Sequence, residues 1–253
     1  MPDVTWWGHA TATVEDGGTR VLTDPLFGAW LGHLRRRRGP VPGVRAREAD
    51  LVVVSHVHHD HLDLASLAAL PAHVPIVLPR GAVDVVGASR RLRGRDLVEV
   101  VPGDQVRVGA VTVTAVPARH DGRRRRGTWR AALTLGYVIE GAARTYFAGD
   151  TGLYRDLPDA VGGCDVALLP VGGWGPQLGP GHLDPIGAAG LLPLLGARVS
   201  VPVHFGTLWP VGMERVRPYE FFGPGQRFRQ YAAVLAPRVT VHELTPGESV
   251  CLP

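Results

Sequence analysis

The chain has 253 residues, 45% hydrophobic and 20% charged, which is enough apolar material for a buried core and excludes a disordered or fibrous protein. Its formal net charge of +4 rests on arginine alone, with no lysine and no asparagine; with abundant Ala, Gly, Pro and Val, this reads as a GC-rich coding bias, and nucleic acid is not an expected partner. No apolar run approaches the ~18–20 residues of a membrane span, the opening Met-Pro-Asp-Val-Thr lacks the features of a signal peptide, and two cysteines, Cys164 and Cys251, make no disulfide framework, so a cytoplasmic protein is expected.

Strand-like segments open the chain at residues 4–7, 11–15 and 19–23, and Asp16-Gly17-Gly18 predicts a hairpin between the second and third. Asp24 and His9 fall at the ends of these segments. The run Leu51-Val-Val-Val-Ser55 is continuously apolar, as a buried strand is. It delivers the segment His56-Val-His-His-Asp-His61, which places His56, His58, Asp60 and His61 within six residues. In an extended or turning segment residues i and i+2 point to one side, so His56 and His58 can hold one ion. Asp60 and His61 reach a different point, and one loop can seed two adjacent metal sites. Imidazole with carboxylate suits Zn2+, and also Mn2+, Fe2+ or Ni2+.

Helices are predicted at 63–70 and 81–89 with a strand at 75–78 between them, then mostly short strands from 97 to 150. Three apolar runs each stop at a residue of ligand type: 111–117 leads to His120, 145–149 to Asp150, and 198–203 to His204. The second half alternates strand 165–169, helix 184–195, strand 198–203, helix 226–236 and strand 238–242. No linker or repeat divides the chain, so one domain over 1–253 is expected, an α/β fold of two packed mixed sheets with helices outside.

The order H-x-H-x-D-H, then His, Asp and His, resembles the signature of the metallo-β-lactamase-fold hydrolases, from Trp6 to about Tyr219. Trp7-Gly-His-Ala-Thr11, Leu22-Thr-Asp-Pro25, Phe147-Ala-Gly-Asp-Thr-Gly152, His182-Leu-Asp-Pro185 and His204-Phe-Gly-Thr207 are similar to the branch of the N-acyl-phosphatidylethanolamine-hydrolysing phospholipases D, with the ascorbate-6-phosphate lactonases as cousins. One departure is Ile-Gly-Ala at 186–188, where that branch carries acidic residues. The resemblance implies a four-layer αβ/βα sandwich. It implies a first metal on His56, His58 and His120, a second on Asp60, His61 and His204, and Asp150 bridging them. A metal-bridging hydroxide would then be the nucleophile, with Asp60 as both ligand and orienting group. The expected reaction is hydrolysis of a phosphodiester such as an N-acyl phospholipid-like substrate; the alternative is a lactone or other ester. Zinc-dependent β-lactamases commonly put Cys where Asp150 stands, and oxygen reductases generally put Glu where His58 stands and add a flavin domain. Processing nucleases usually carry an inserted domain or arm. A nuclease or a non-hydrolytic iron protein is therefore a weaker reading.

Two interpretations stand for each remaining candidate. His9 and Asp24 either fix a ligand imidazole or shape turns. His182, in the Gly/Pro-rich loop 170–181 and its continuation, either contacts the scissile group, as the resemblance implies, or belongs to the start of the next helix. Trp174 and Trp209 either wall the pocket or lie in the core. The runs Arg35–Arg38 and Arg123–Arg126 sit in Gly/Pro-flanked segments read as loops; they are either solvated charge or a rim that attracts phosphate-bearing substrates. Arg123 and Arg124, close after His120, are the better pocket candidates, and any membrane contact would be transient. Nothing in the sequence sets an oligomeric state.

Overall fold

A computed structural model describes residues 2–252 except 88, 126, 176 and 177. In chain order the first half contains β1 (Asp3–Gly8), β2 (Thr11–Asp16), β3 (Thr19–Thr23), β4 (Trp30–Leu31), β5 (Leu34–Arg36), β6 (Leu51–Val53), α1 (Leu64–Ala68), β7 (Ile76–Pro79), α2 (Ala82–Val86) and β8 (Leu97–Val100). There follow β9 (Gln105–Val108), β10 (Val111–Pro117), β11 (Leu135–Glu140), β12 (Arg144–Phe147), α3 (Leu157–Val161), β13 (Val166–Pro170), α4 (Pro185–Leu195) and β14 (Val199–Val203). The chain closes with β15 (Leu208–Pro210), α5 (Met213–Val216), α6 (Pro218–Leu235), β16 (Thr240–Val241) and β17 (Glu248–Cys251).

Two seven-stranded sheets dominate, in the orders β17-β1-β2-β3-β6-β7-β8 and β16-β14-β13-β12-β11-β10-β9. Each is antiparallel on one side and parallel on the other. The inner parallel strands β6, β7, β13 and β14 are buried on both faces, which is why they read as unbroken apolar runs. In β6 and just beyond it, Leu51 and Val53 join the main core, while Val52 and Val54 join a second cluster with Leu67 and Ala82 of α1 and α2. Leu191 and Leu192 of α4 and Phe228 of α6 pack into the main core. The result is two sheets with helices outside, the expected four-layer α/β architecture. The Gly17-Gly18 turn pairs Asp16 with Thr19, and both glycines have positive φ, as a two-residue hairpin loop needs.

Several expectations are corrected. The helix placed at 226–236 begins at Pro218 and runs through Gly223-Pro224-Gly225. A Cβ on Gly225 would lie 2.5 Å from the Phe205 ring, so this glycine lets the helix approach β14's exit rather than ending the helix. The 63–70 helix is confined to Leu64–Ala68, capped by the Asp63 side chain on Ser66 N, and the 81–89 helix to Ala82–Val86, with residue 88 outside the described set. The first arginine run is not wholly solvated loop charge, although Arg35 is exposed. Arg35 and Arg36 belong to β5, part of a three-stranded sheet in the order β15-β5-β4. Arg36 is buried and donates to Trp7 O (3.0 Å) and Leu26 O (2.8 Å), and Arg37 pairs with Glu214.

Candidate metal centre

The carboxyl ends of β6, β10, β12 and β14 deliver His56–His61, His120, Asp150 and His204 to one place. Among the described residues, four overlapping groups have candidate ligand atoms all within 4.8 Å of one another: His9, Asp60, His61, His204; His56, His58, His120; His56, His61, Asp150; and His120, Asp150, His182. All seven residues expected as ligands are therefore brought together, with His9 and His182 beside them. Asp150 is central. Its Oδ2 lies 3.3 Å from His61 Nε2, 3.4 Å from His182 Nε2 and His204 Nε2, 3.9 Å from His120 Nε2 and 4.0 Å from His56 Nε2.

The outer nitrogens show how the rings are set. His61 Nδ1 faces Asp24 Oδ2 at 2.6 Å, His204 Nδ1 donates to Gly172 O at 2.8 Å, and His120 Nδ1 to Gly181 O at 2.8 Å. Asp24 also accepts from Ser55 N (2.7 Å) and Ser55 Oγ (2.6 Å), which leaves that hydroxyl oxygen to accept from His56 Nδ1 at 3.0 Å. With the outer nitrogens donating, the inner ones present lone pairs. They converge: His61 Nε2 on His204 Nε2 at 3.1 Å, and His56 Nε2 and His120 Nε2 on His58 Nδ1 at 2.9 and 3.1 Å. Asp150 Oδ1 is buried without a hydrogen-bond partner. Facing lone pairs and an orphaned carboxylate oxygen need positive charge between them, so this donor set fits divalent cations.

The titration shifts agree. Burial pushes His9 and His120 down to about 4 and His56 well below its usual range. Burial also opposes charge on His61, but Asp150, Asp60 and Asp24 outweigh it and raise its pKa well above the ordinary value. Burial would raise Asp60 and Asp150, yet the imidazoles around them hold both well below the carboxylate range.

Of the two orienting candidates, Asp24 holds His61 as described, and His9 Nε2 meets Asp60 Oδ2 at 2.8 Å. His9, Asp24 and His204 have φ of 52°, 34° and 62°, and among the described residues they are the only non-glycine residues with positive φ. The turn carrying His9 is tied to the β14 exit by His204 N to His9 O (2.8 Å) and His9 N to Thr207 Oγ1 (2.9 Å). Ser55, His56 and Asp24 have the composition of a hydrolytic triad. Ser55 is wholly buried and its proton goes to Asp24, so it is scaffolding and not a nucleophile.

A cavity of about 1400 Å3 opens over the cluster. Leu31, Leu34, Trp174 and Leu178 line it, together with Arg119, Arg123, Arg124, Arg125 and His182. His182 donates from Nδ1 to Gly179 O at 2.9 Å and turns Nε2 toward Asp150; the cap of α4 is instead Asp184, which accepts from Gly187 N. Trp174 is 43% exposed on the cavity wall. Trp209 is not a pocket residue: it is fully buried, edge-on to Phe221, because β15 packs it beneath α6. Arg123 and Arg124 reach the cavity but are already engaged, Arg123 with the Asp121 carboxylate and Arg124 with backbone carbonyls; Arg126 lies outside the described residues. Sequence reasoning missed Ser55 and the carbonyls of Gly172 and Gly181. Carbonyls carry no side-chain signal, although Gly181 has φ +79° and a Cβ there would lie 3.1 Å from His120 Nδ1.

This fold and donor cluster define a metal-dependent hydrolase of the metallo-β-lactamase type. The family model "Beta-lactamase superfamily domain" matches residues 19–205, and the chain belongs to that superfamily. It is 32% identical over 98% of its length to a UPF0173 metal-dependent hydrolase of Nitratidesulfovibrio vulgaris, covering 95% of that protein. It is 30% identical over 82% of its length to N-acyl-phosphatidylethanolamine-hydrolyzing phospholipase D 1 of Caenorhabditis elegans, spanning 64% of that longer protein. The solved structure of Igni18, a metallo hydrolase of Ignicoccus hospitalis, matches with a TM-score of 0.69 at 22% identity, covering 98% of this chain and 97% of that one. Among the described residues no helix is long and apolar enough to cross a membrane.

Proposed function

We propose that the chain hydrolyses a phosphodiester with an apolar portion, such as an N-acyl phospholipid-like molecule, with two divalent cations, Zn2+ by preference. The observation that carries the reading is the pair of donor groups, His56/His58/His120 and Asp60/His61/His204, meeting at the single carboxylate of Asp150. Two cations held there would polarise a substrate oxygen and bring the pKa of a water toward neutrality. The chain's own groups do the rest. Asp60, held by His9, can orient the attacking water as well as serve as a ligand. His182, held by Gly179 O, can donate one to the leaving oxygen. The apolar wall of Leu31, Leu34, Trp174 and Leu178 suits a hydrocarbon portion, and the arginine side suits an anion. Any contact with a membrane is transient.

The test is metal analysis of the purified protein and a hydrolysis screen across phosphodiesters, lactones and N-acyl phospholipids. Two equivalents of metal with phosphodiester turnover support the reading; one or none under metal-replete conditions defeats it. A second reading, hydrolysis of a neutral lactone or other ester, is favoured by the engagement of Arg123 and Arg124, which leaves Arg119 and Arg125 as the cavity's other arginines among the described residues.

A further inference from the structure

We infer that Arg124 is a positioning residue: it fastens the two ends of the ligand turn, and through them sets the affinity of the centre for its cations. The inference rests on reading the cluster as a cation centre. Val57 and Leu62 bracket the turn, one between His56 and His58, the other directly after His61, and both are fully buried. The turn's own backbone bonds, His61 N at 3.1 Å and Leu62 N at 2.8 Å, both end on His58 O. Among the described residues no backbone N–H reaches Val57 O or Leu62 O. Buried carbonyls need partners. Arg124 supplies them, with Nη1 donating to Val57 O at 2.7 Å and to Leu62 O at 3.1 Å, and Nη2 donating to Leu62 O at 3.1 Å.

The fork of a guanidinium suits this task, because it presents several N–H groups in one rigid plane. Its base is fixed as well. Arg124 sits on the excursion between β10 and β11, which is closed by the Arg123–Ala131 bridge and by Ala132 N to Gly122 O at 2.9 Å. Gly122 has no room for a side chain, since a Cβ would lie 1.9 Å from Ala132 O. The excursion is thus closed on itself ahead of β11, and Arg124 transfers that fixed seating to His56, His58, Asp60 and His61. A side chain spent on carbonyls in this way is no clamp for a substrate anion, which separates Arg124 from Arg119 and Arg125.

The experiment is a Zn2+ titration against a chromophoric chelator for the wild type, Arg124→Gln, Arg124→Lys and Arg130→Gln. Arg130 holds Asp84 O at the far side of the same excursion and serves as the control. Arg124→Gln is expected to weaken Zn2+ binding roughly ten- to hundredfold, the usual effect of losing a partner of the ligand shell. Arg124→Lys should fall between, because an ammonium reaches one end of the turn, and Arg130→Gln should match the wild type. With Zn2+ saturating, Arg124→Gln should regain kcat on bis(p-nitrophenyl) phosphate at an unchanged KM. Unchanged Zn2+ affinity in Arg124→Gln, equal weakening in Arg130→Gln, or a KM that stays raised at saturating Zn2+ would overturn the inference. If Arg124→Gln is insoluble, Arg124→Lys decides by the same affinity measurement. A wild type that takes up no Zn2+ would overturn the cation-centre reading itself, a result distinct from any of these.

Discussion

Replacing Asp24 with Asn should disable one half of the centre while keeping its shape. The carboxylate is wholly buried and receives three donors, Ser55 N on Oδ1 and Ser55 Oγ and His61 Nδ1 on Oδ2. An amide has one acceptor oxygen. With its NH2 in place of Oδ2, it donates toward His61 Nδ1 and forces the other tautomer. The ring proton then lies on Nε2, which faces His204 Nε2 and Asp150. With the amide flipped, Ser55 N–H confronts an N–H instead. Either way at least one hydrogen bond to a charged group is lost, about 1.5–3 kcal/mol. At about 1.4 kcal/mol per factor of ten, the cation held by Asp60, His61 and His204 should bind roughly ten- to hundredfold more weakly. The cation held by His56, His58 and His120 should be less affected. Calorimetric titration of the metal-free protein with Zn2+ resolves the two steps. Two equivalents bound by Asp24→Asn with wild-type affinity would refute the tautomer argument.

Asp150→Ala should weaken both sites together and abolish turnover, whereas His120→Ala should mainly empty one; metal content after dialysis distinguishes them. Gly181→Ala places a Cβ 3.0 Å from Arg119 O and 3.1 Å from His120 Nδ1 at a φ of +79°, so kcat should fall far more than thermal stability, for which ~1–2 kcal/mol is expected from the backbone alone. Arg119→Gln with Arg125→Gln should raise KM for an anionic phosphodiester and leave a neutral lactone unaffected; equal effects on both would return these cations to ordinary surface charge. Burial pushes the Cys164 thiol up to about 12, while Cys251 is exposed. Iodoacetamide at neutral pH should therefore label one thiol per native chain and two after denaturation, as read by mass spectrometry.

The parts of the fold legible in the sequence are those where burial dictates composition. β6, β13 and β14 are covered on both faces and could be little other than apolar, and the ligand-type residues stand just past the ends of β6, β10, β12 and β14. Three kinds of feature escaped. β4, β5 and β15 have two or three residues each, too few for a period to register. The stretch Gly223-Pro224-Gly225 looks like punctuation, yet it is helical, and Gly225 is there because the helix passes close to Phe205. Arg36 and Arg124 look like surface charge, but each satisfies carbonyls inside the fold, and a carbonyl leaves no mark on the residue that owns it. At the site the side chains were legible, while the groups that aim them, Ser55 and the carbonyls of Gly172 and Gly181, depend on which loops meet across the two sheets.

The left-handed backbone at His9, Asp24 and His204 sets stability against the donor cluster. An L-residue in that conformation gives up about 1–2 kcal/mol that glycine would not. Asp24 and His204 at these positions serve the donor cluster, and His9 holds Asp60. Glycine at any of the three would relax the backbone but remove a buried side chain that holds, or belongs to, the donor cluster. The strain and the donor set are therefore one feature, and relieving the first dismantles the second.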